Sequence, residues 1–423
     1  MSAAVLIAAV ASCDDAGMQT VLLGAALWQG LASEDHASDS LNSETLISET
    51  LIPEPWILVE DGRIAEIASR RERALPNNVP CHDYSAHLLA PAFLDVHIHG
   101  SAGQDVMQAD RAGMEAISRF LARHGTGRFL ATTVTAPLDE TLRALERMAR
   151  LMRHAADWPG AVPCGIHLEG PFLSHAKRGV HPEQHLLAPS VAVFDRLLEA
   201  AEGQVRLMTL APELPGACEL AAHATARGVR VSMGHSNATA QQARQLMQSG
   251  ATSATHTFNA MRALDHREPG IGGFVLTEDA LYAELICDGI HVDPRMVRLW
   301  WQQKGSRRGI LVTDAMAATG MPDGSYQLGG LTVELADGRA TANGVLAGSV
   351  LTLDRALENL MHFAGVALPE ALPLVTQNPA RMLGMQQARD TLHAGLAVGS
   401  RADLVALDAA GRLVASFSAG QRV

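Results

Sequence analysis

From Pro91 onward the chain repeats one unit, a short apolar run that ends in polar residues, followed by an amphipathic stretch of helical period such as "RAGMEAISRFLARHG" or "SVAVFDRLLEAAEG". Read in order, the runs are "AFLDVHIH", "RFLATTVT", "AVPCGIHLE", "QVRLMTLAPE", "GVRVSMGHS", "TSATHTFN", "YAELICDG" and "GILVTDA". Alternation of this kind demands a parallel α/β architecture. Eight runs are the number that a closed barrel wants, so a (β/α)8 TIM-like barrel is expected over residues 91–385.

The two chain ends have a different texture. After an extension at residues 1–16, "TVLLGAALWQG" and "WILVEDGRIAEIAS" read as short strands separated by turns, and the C-terminal "RADLVALDAAGRLVASFSAG" returns to the same pattern around a turn at "AAGR". Residues 17–90 and 386–423 are therefore expected to combine into one small β-sandwich domain beside the barrel. Between the first two strands lies a Ser- and Glu-rich stretch that contains SETLI twice and closes on two prolines. It reads as a variable surface insertion at about residues 31–55, without chemistry.

At 423 residues, with 48% hydrophobic and 18% charged, the chain can bury one large core and a smaller one, and disorder is excluded as its main state. A net charge of −12, with "RRER" at Arg70 as the longest basic cluster, speaks against nucleic acid as a partner. The five cysteines are odd in number and lack C-x-x-C spacing, which points to a reducing, cytoplasmic compartment rather than a disulfide framework or a cysteine zinc site. The start "MSAAVLIAAVASC" looks like a lipoprotein cleavage site but has no Lys or Arg ahead of its apolar run, so export is not expected. No stretch reaches the roughly 18 apolar residues of a membrane helix, and no membrane partner is expected.

In a barrel of this kind the reactive groups sit at the C-terminal ends of the strands. There the eight runs collect His97 and His99, then His167 and Glu169, His235, His256 with Asn259, Asp288 and Asp314. His97 and His99 are two apart on a strand and share a face, so together they can hold one metal ion; two core histidines satisfied by carbonyls are the plainer alternative. Glu169, buried beside a glycine and a proline, needs a cation or a proton. With His235 and His256 it makes a Glu, His, His set that leaves a coordination position for water, the pattern of a catalytic metal site. Asp314 has the position for a proton shuttle, or else caps the helix that follows. Arg267, beside a glycine-rich turn, and His291 could grip an anion, and Lys177, Arg178 and His181 share the loop after the third strand.

These residues lie in "PAFLDVHIHG", "GIHLEGPFLSHAKRGVHP", "GHSNAT", "THTFNAMRALDHREPGIGG", "DGIHV" and "LVTDAMAATG", and with them the chain resembles the N-acetylglucosamine-6-phosphate deacetylases of the amidohydrolase superfamily over most of residues 88–385. The resemblance implies a homodimer that hydrolyses the acetamide of N-acetylglucosamine 6-phosphate to glucosamine 6-phosphate and acetate by attack of metal-bound hydroxide. It implies Glu169, His235 and His256 as ligands of a divalent metal, zinc or iron, and Asp314 as general base and then acid. His181 is implied to contact the acetamide carbonyl or the sugar. Asn259, Ala260, Arg267 and His291 are implied to hold the phosphate, some of them across the dimer interface. One ion is expected; because some relatives lack the His-x-His pair and this chain keeps it, His97 and His99 admit a second.

Three alternatives stay open at this level. The substrate could be the N-acetylgalactosamine epimer, or the enzyme could act on another N-acyl compound. A metal-free barrel serving as a scaffold is the non-enzymatic reading, and it is disfavoured because every ligand is present.

Overall fold

The computed structural model describes residues 19–28, 51–154, 158–385 and 396–423. The extension expected at 1–16 and most of the insertion expected at about 31–55 lie outside the described residues.

Each of the eight apolar runs forms a strand: β1 (Phe93–Ile98), β2 (Thr126–Thr132), β3 (Val162–Glu169), β4 (Val205–Leu210), β5 (Arg230–Met233), β6 (Ala251–Ala254), β7 (Tyr282–Ile286) and β8 (Gly309–Val312). They pair in sequence order as one parallel sheet. The sheet closes where β8 meets β1, through a bridge between Ile98 and Ala315 and hydrogen bonds from Asp314 N to His97 O (2.9 Å) and from His99 N to Ala315 O (2.8 Å). The chain is thus a (β/α)8 barrel, and its seam runs through three of the expected site residues, His97, His99 and Asp314.

One helix follows each strand: α1 (Arg111–Arg123), α2 (Leu138–Met152), α3 (Val191–Ala200), α4 (Ala217–Ala226), α5 (Ala240–Gln248), α6 (Gly270–Thr277), α7 (Pro294–Arg308) and α8 (Leu353–Ala364). Helix α1 shows why. Asp110 caps it by accepting from Gly113 N at 2.9 Å, and Met114, Ile117, Phe120 and Leu121 fall on one face and are buried. Each such side chain stabilises the fold by about 1.5–3 kcal/mol. All eight residues of β3 are buried, because one face packs inside the barrel and the other lies under helices. This is the physical reason the strands read as unbroken apolar runs.

Beside the barrel, strands Gln19–Trp28, Leu51–Pro53, Pro55–Glu60, Arg63–Ser69 and Cys81–Pro91 join Leu404–Leu407, Leu413–Ser418 and Gln421–Arg422 in one sheet, so a small β-sandwich domain forms from both chain ends. One edge strand, Arg63–Ser69, meets the segment that leads into Leu404–Leu407, through a bridge between Arg63 and Arg401 and a bond from Ile64 N to Ser400 O (2.9 Å). The sheet folds over its own core of Leu22, Ile57, Leu89, Leu404 and Phe417. Two features depart from the sequence reading. Leu51–Pro53, inside the stretch taken for an insertion, is a strand paired with Ala26–Trp28. Between β8 and α8, strands Gly324–Leu328, Leu331–Ala336, Arg339–Ala342 and Val345–Leu346 form a separate antiparallel sheet.

Candidate metal centre

Six titratable side chains from five strand ends converge at the C-terminal mouth of the barrel. His97 comes from β1 and His99 from just after it, Glu169 from the end of β3, His235 and His256 from just after β5 and β6, and Asp314 from just after β8. None is more than 8% exposed. Glu169 Oε1 lies 3.1 Å from His235 Nε2 and 3.0 Å from His256 Nε2, and these two nitrogens are 3.1 Å apart. The other carboxylate oxygen, Oε2, faces His97 Nε2 at 3.4 Å and His99 Nε2 at 3.2 Å. Asp314 Oδ1 completes that second group, 3.0 Å from His99 Nε2. Donors bound to one ion at about 2.0–2.2 Å sit about 3.0–3.5 Å from one another, so both groups have the spacing of a shared cation. Glu169 stands between them with one oxygen toward each.

The outer nitrogens of the rings support that reading. His99 Nδ1 donates to Thr132 O at 3.1 Å and His235 Nδ1 to Lys177 O at 3.0 Å. A carbonyl only accepts, so each ring carries a proton on Nδ1. Its Nε2 then faces Glu169 either as a second N–H or as a lone pair with a cation between, and in both cases positive charge sits beside the buried carboxylate. The electrostatics agree. Burial drives the Glu169 pKa up, but the imidazoles around it more than offset this and hold the carboxyl well below its ordinary range. Burial likewise opposes the charged form of His97, yet the Glu169 and Asp314 carboxylates raise its pKa well above the ordinary value. The cluster demands positive charge, and a divalent ion on these ligands would supply it.

Backbone strain marks the same place. His235 (φ +45°), His256 (φ +29°), Ala260 (φ +50°) and Asp314 (φ +51°) all adopt the left-handed region. For residues with a β-carbon this costs on the order of 1 kcal/mol or more each and persists only where neighbours enforce it. Here Ser174 N holds His235 O at 2.9 Å, Thr257 N holds Glu284 O at 2.8 Å, and Ser349 N holds Asp314 O at 2.7 Å. Asp314 caps no helix among the described residues; its side chain turns to His99.

Above the cluster lies a cavity of about 240 Å³, lined among others by His99, Glu169, His181, His235, His256 and Asp314. Its size suits one small molecule rather than a polymer. His181 accepts at Nδ1 from the backbone N–H of Thr135 (3.2 Å), so its proton is on Nε2, which lies 3.6 Å from Glu169 Oε2. Although the donor atoms of Glu169, His181 and His235 lie within 4.8 Å of one another, a protonated Nε2 makes His181 a hydrogen-bond donor into the cavity rather than a ligand. Asn259, Ala260 and His291 line the same cavity. Arg267 does not: it sits on an exposed turn, where its backbone N–H bonds Asp265. Lys177 and Arg178 also stay out of the lining, and Arg178 braces the loop by donating to His181 O at 3.2 Å.

His167 ends β3 as Glu169 does, but its Nδ1 donates to Val96 O (3.1 Å) and its Nε2 meets Thr209 Oγ1 (2.8 Å), so it is a satisfied core histidine. Sequence reasoning passed over two buried acids. Asp95 takes a 2.5 Å bond from the Thr313 hydroxyl and ties β1 to β8. Glu284, fully buried on β7, sets Oε2 3.5 Å from His97 Nδ1 and 3.4 Å from His256 N. The signal was a lone acid inside each apolar run, "FLDVHIH" and "YAELI".

Known proteins resemble this chain in sequence and fold. The amidohydrolase family pattern matches residues 88–422. The chain is 40% identical over 356 residues to an N-acetylgalactosamine-6-phosphate deacetylase of Escherichia coli O157:H7, covering 84% of this chain and 92% of that one. It is 37% identical over 353 residues to an N-acetylglucosamine-6-phosphate deacetylase of Lysinibacillus sphaericus, covering 83% and 89%. Among solved structures, a mutant N-acetyl-D-glucosamine-6-phosphate deacetylase of Mycobacterium smegmatis in complex with N-acetyl-D-glucosamine-6-phosphate superposes with a TM-score of 0.83 at 33% identity, covering 96% of this chain and 99% of that one.

Proposed function

The chain belongs to the amidohydrolase family, and we propose on that premise that it hydrolyses the acetamide of N-acetylglucosamine 6-phosphate, releasing glucosamine 6-phosphate and acetate. The observation that carries this reading is Glu169 fronting two donor groups beneath a small cavity that also holds Asp314 and a proton-bearing His181. Relatives named for this reaction support it.

In the proposed site Glu169, His235 and His256 hold a divalent ion, zinc or iron, and His97 and His99 are available to a second. When bound, such an ion acidifies water and polarises the amide carbonyl. Asp314, ionised because His97 and His99 more than offset its burial, takes a proton from the attacking water. It returns that proton to the amine nitrogen as the carbon–nitrogen bond breaks. His181 donates from Nε2 to the carbonyl oxygen as negative charge gathers there. Asn259, Ala260 and His291, on the β6–β7 side of the cavity, receive the phosphate. Arg267, outside the cavity of its own subunit, would serve the neighbouring site of a homodimer. In this reading residues 91–385 carry the chemistry, and the β domain of 17–90 and 386–423 carries none. A phosphorylated sugar does not cross a bilayer unaided, which supports a cytoplasmic location; no helix among the described residues is long and apolar enough to span a membrane.

A second reading, hydrolysis of N-acetylgalactosamine 6-phosphate, is favoured by the relative at 40% identity. One assay separates the two: acetate release measured on both epimers, each with and without the 6-phosphate. We expect the glucosamine derivative with phosphate to be fastest. A faster galactosamine derivative would reassign the substrate, and no release from either would overturn the reading.

A further inference from the structure

One wall of the cavity is apolar, and nothing in the proposed chemistry uses it. Leu328 and Leu346, from the sheet at 324–346, line it together with Val134, which follows β2. Backbone bonds fix both leucines. Next to Leu328, Gly329 donates its N–H to the buried Asp105 Oδ2 at 2.7 Å, and its backbone packs so closely on Val134 that an added β-carbon would fall 2.8 Å from Val134 Cβ. Leu346 leads within three residues to Ser349, which donates from its backbone to Asp314 O at 2.7 Å and from its hydroxyl to Thr313 O at 2.6 Å. The wall therefore stands beside Asp314, between the ends of β8 and β2. Asn259, Ala260 and His291 enter the same cavity from the loops after β6 and β7.

An amide held over Glu169, His235 and His256 with its oxygen toward His181 has two ends to place. The sugar phosphate needs donors and goes to the polar side, which leaves the acyl group against the leucines. We propose that Leu328, Leu346 and Val134 set the length of the acyl chain this site removes, admitting acetyl and rejecting longer acyl groups. The inference rests on the deacetylase reading above. Leu328 is 2% exposed and Val134 3%, so neither can retract, and an added methylene meets packed side chains. In such a pocket one methylene changes kcat/KM by roughly 10–200-fold.

The test compares kcat/KM for the N-acetyl, N-propionyl and N-butyryl forms of glucosamine 6-phosphate on wild type, Leu346→Ala and Leu328→Ala. The butyryl-to-acetyl ratio within one preparation is insensitive to the fraction of folded, metal-loaded protein, so partial loss of structure does not mimic the effect. Wild type should prefer acetyl over butyryl by about 100-fold or more, and each variant should narrow that gap by roughly tenfold. An unchanged ratio in both variants, or a wild type that accepts butyryl as readily as acetyl, would overturn the proposal. If wild type releases no acetate at all, the deacetylase reading itself fails, and the acyl wall with it.

Discussion

The Asp314 carboxylate lies 3.0 Å from Nε2 of His99, although the two residues come from the last and first strands of the barrel. Closure of β8 on β1 makes the contact: Asp314 N bonds His97 O, and its φ of +51° swings the side chain over the mouth. Asp314→Asn keeps the shape and one acceptor oxygen but cannot hold the transferred proton. It should lower kcat by about 10²–10⁴-fold while the ion held by Glu169, His235 and His256, measured on the same sample, stays bound as in wild type. A near-normal rate would remove Asp314 from the proton transfer.

Glu284 acts one step back. Its Oε2 lies 3.5 Å from Nδ1 of His97 and 3.4 Å from the backbone nitrogen of His256, so one buried acid faces both halves of the cluster. Carboxylates behind ligand histidines fix ring orientation, and their loss lowers metal affinity by about 10–100-fold. Glu284→Gln should show that loss in competition with a chromophoric chelator, with an unaltered thermal midpoint for the metal-free protein. Equal affinity would leave Glu284 as packing only.

His291 should impose a pH dependence on phosphate binding. Its Nδ1 bonds Asp288 Oδ2 at 2.7 Å; burial lowers its pKa, but that bond and the Asp288 charge more than compensate and raise it above the ordinary value of 6.5. With the folded pKa raised, the cation is fully present below 6.5 and is lost only as pH climbs through the higher value. KM for the phosphorylated substrate should therefore stay low past pH 6.5 and then rise. In Asp288→Asn the rise should begin at lower pH, and unphosphorylated substrates should show none. Superimposable KM profiles for the variant and wild type would contradict the role.

Much of this was written in the chain. Strands buried on both faces must be apolar throughout, so the eight runs stood out, and their polar ends marked the mouth that brings Glu169, His235, His256 and Asp314 together. What escaped was decided elsewhere in the molecule. His167 and His97 look alike in sequence, and only Val96 O and Thr209 Oγ1 make His167 a core residue. Arg267 lies on an exposed turn, so the part expected of it depends on a neighbouring subunit that the sequence does not display. Glu284 is a single acid in "YAELI", and its nearness to His97 is set by the barrel's curvature. The sheet at 324–346 was legible after all: Gly329-Gly330, Asp337-Gly338 and Asn343-Gly344 all take the positive φ of two-residue hairpin turns.

An anomalous-difference map, collected at the absorption edge of whatever metal the purified protein carries, tests the central claim most directly. The expected result is a peak about 2.0–2.3 Å from Glu169 Oε1, His235 Nε2 and His256 Nε2 together. A fully active protein whose crystals show no peak among these three atoms would contradict it.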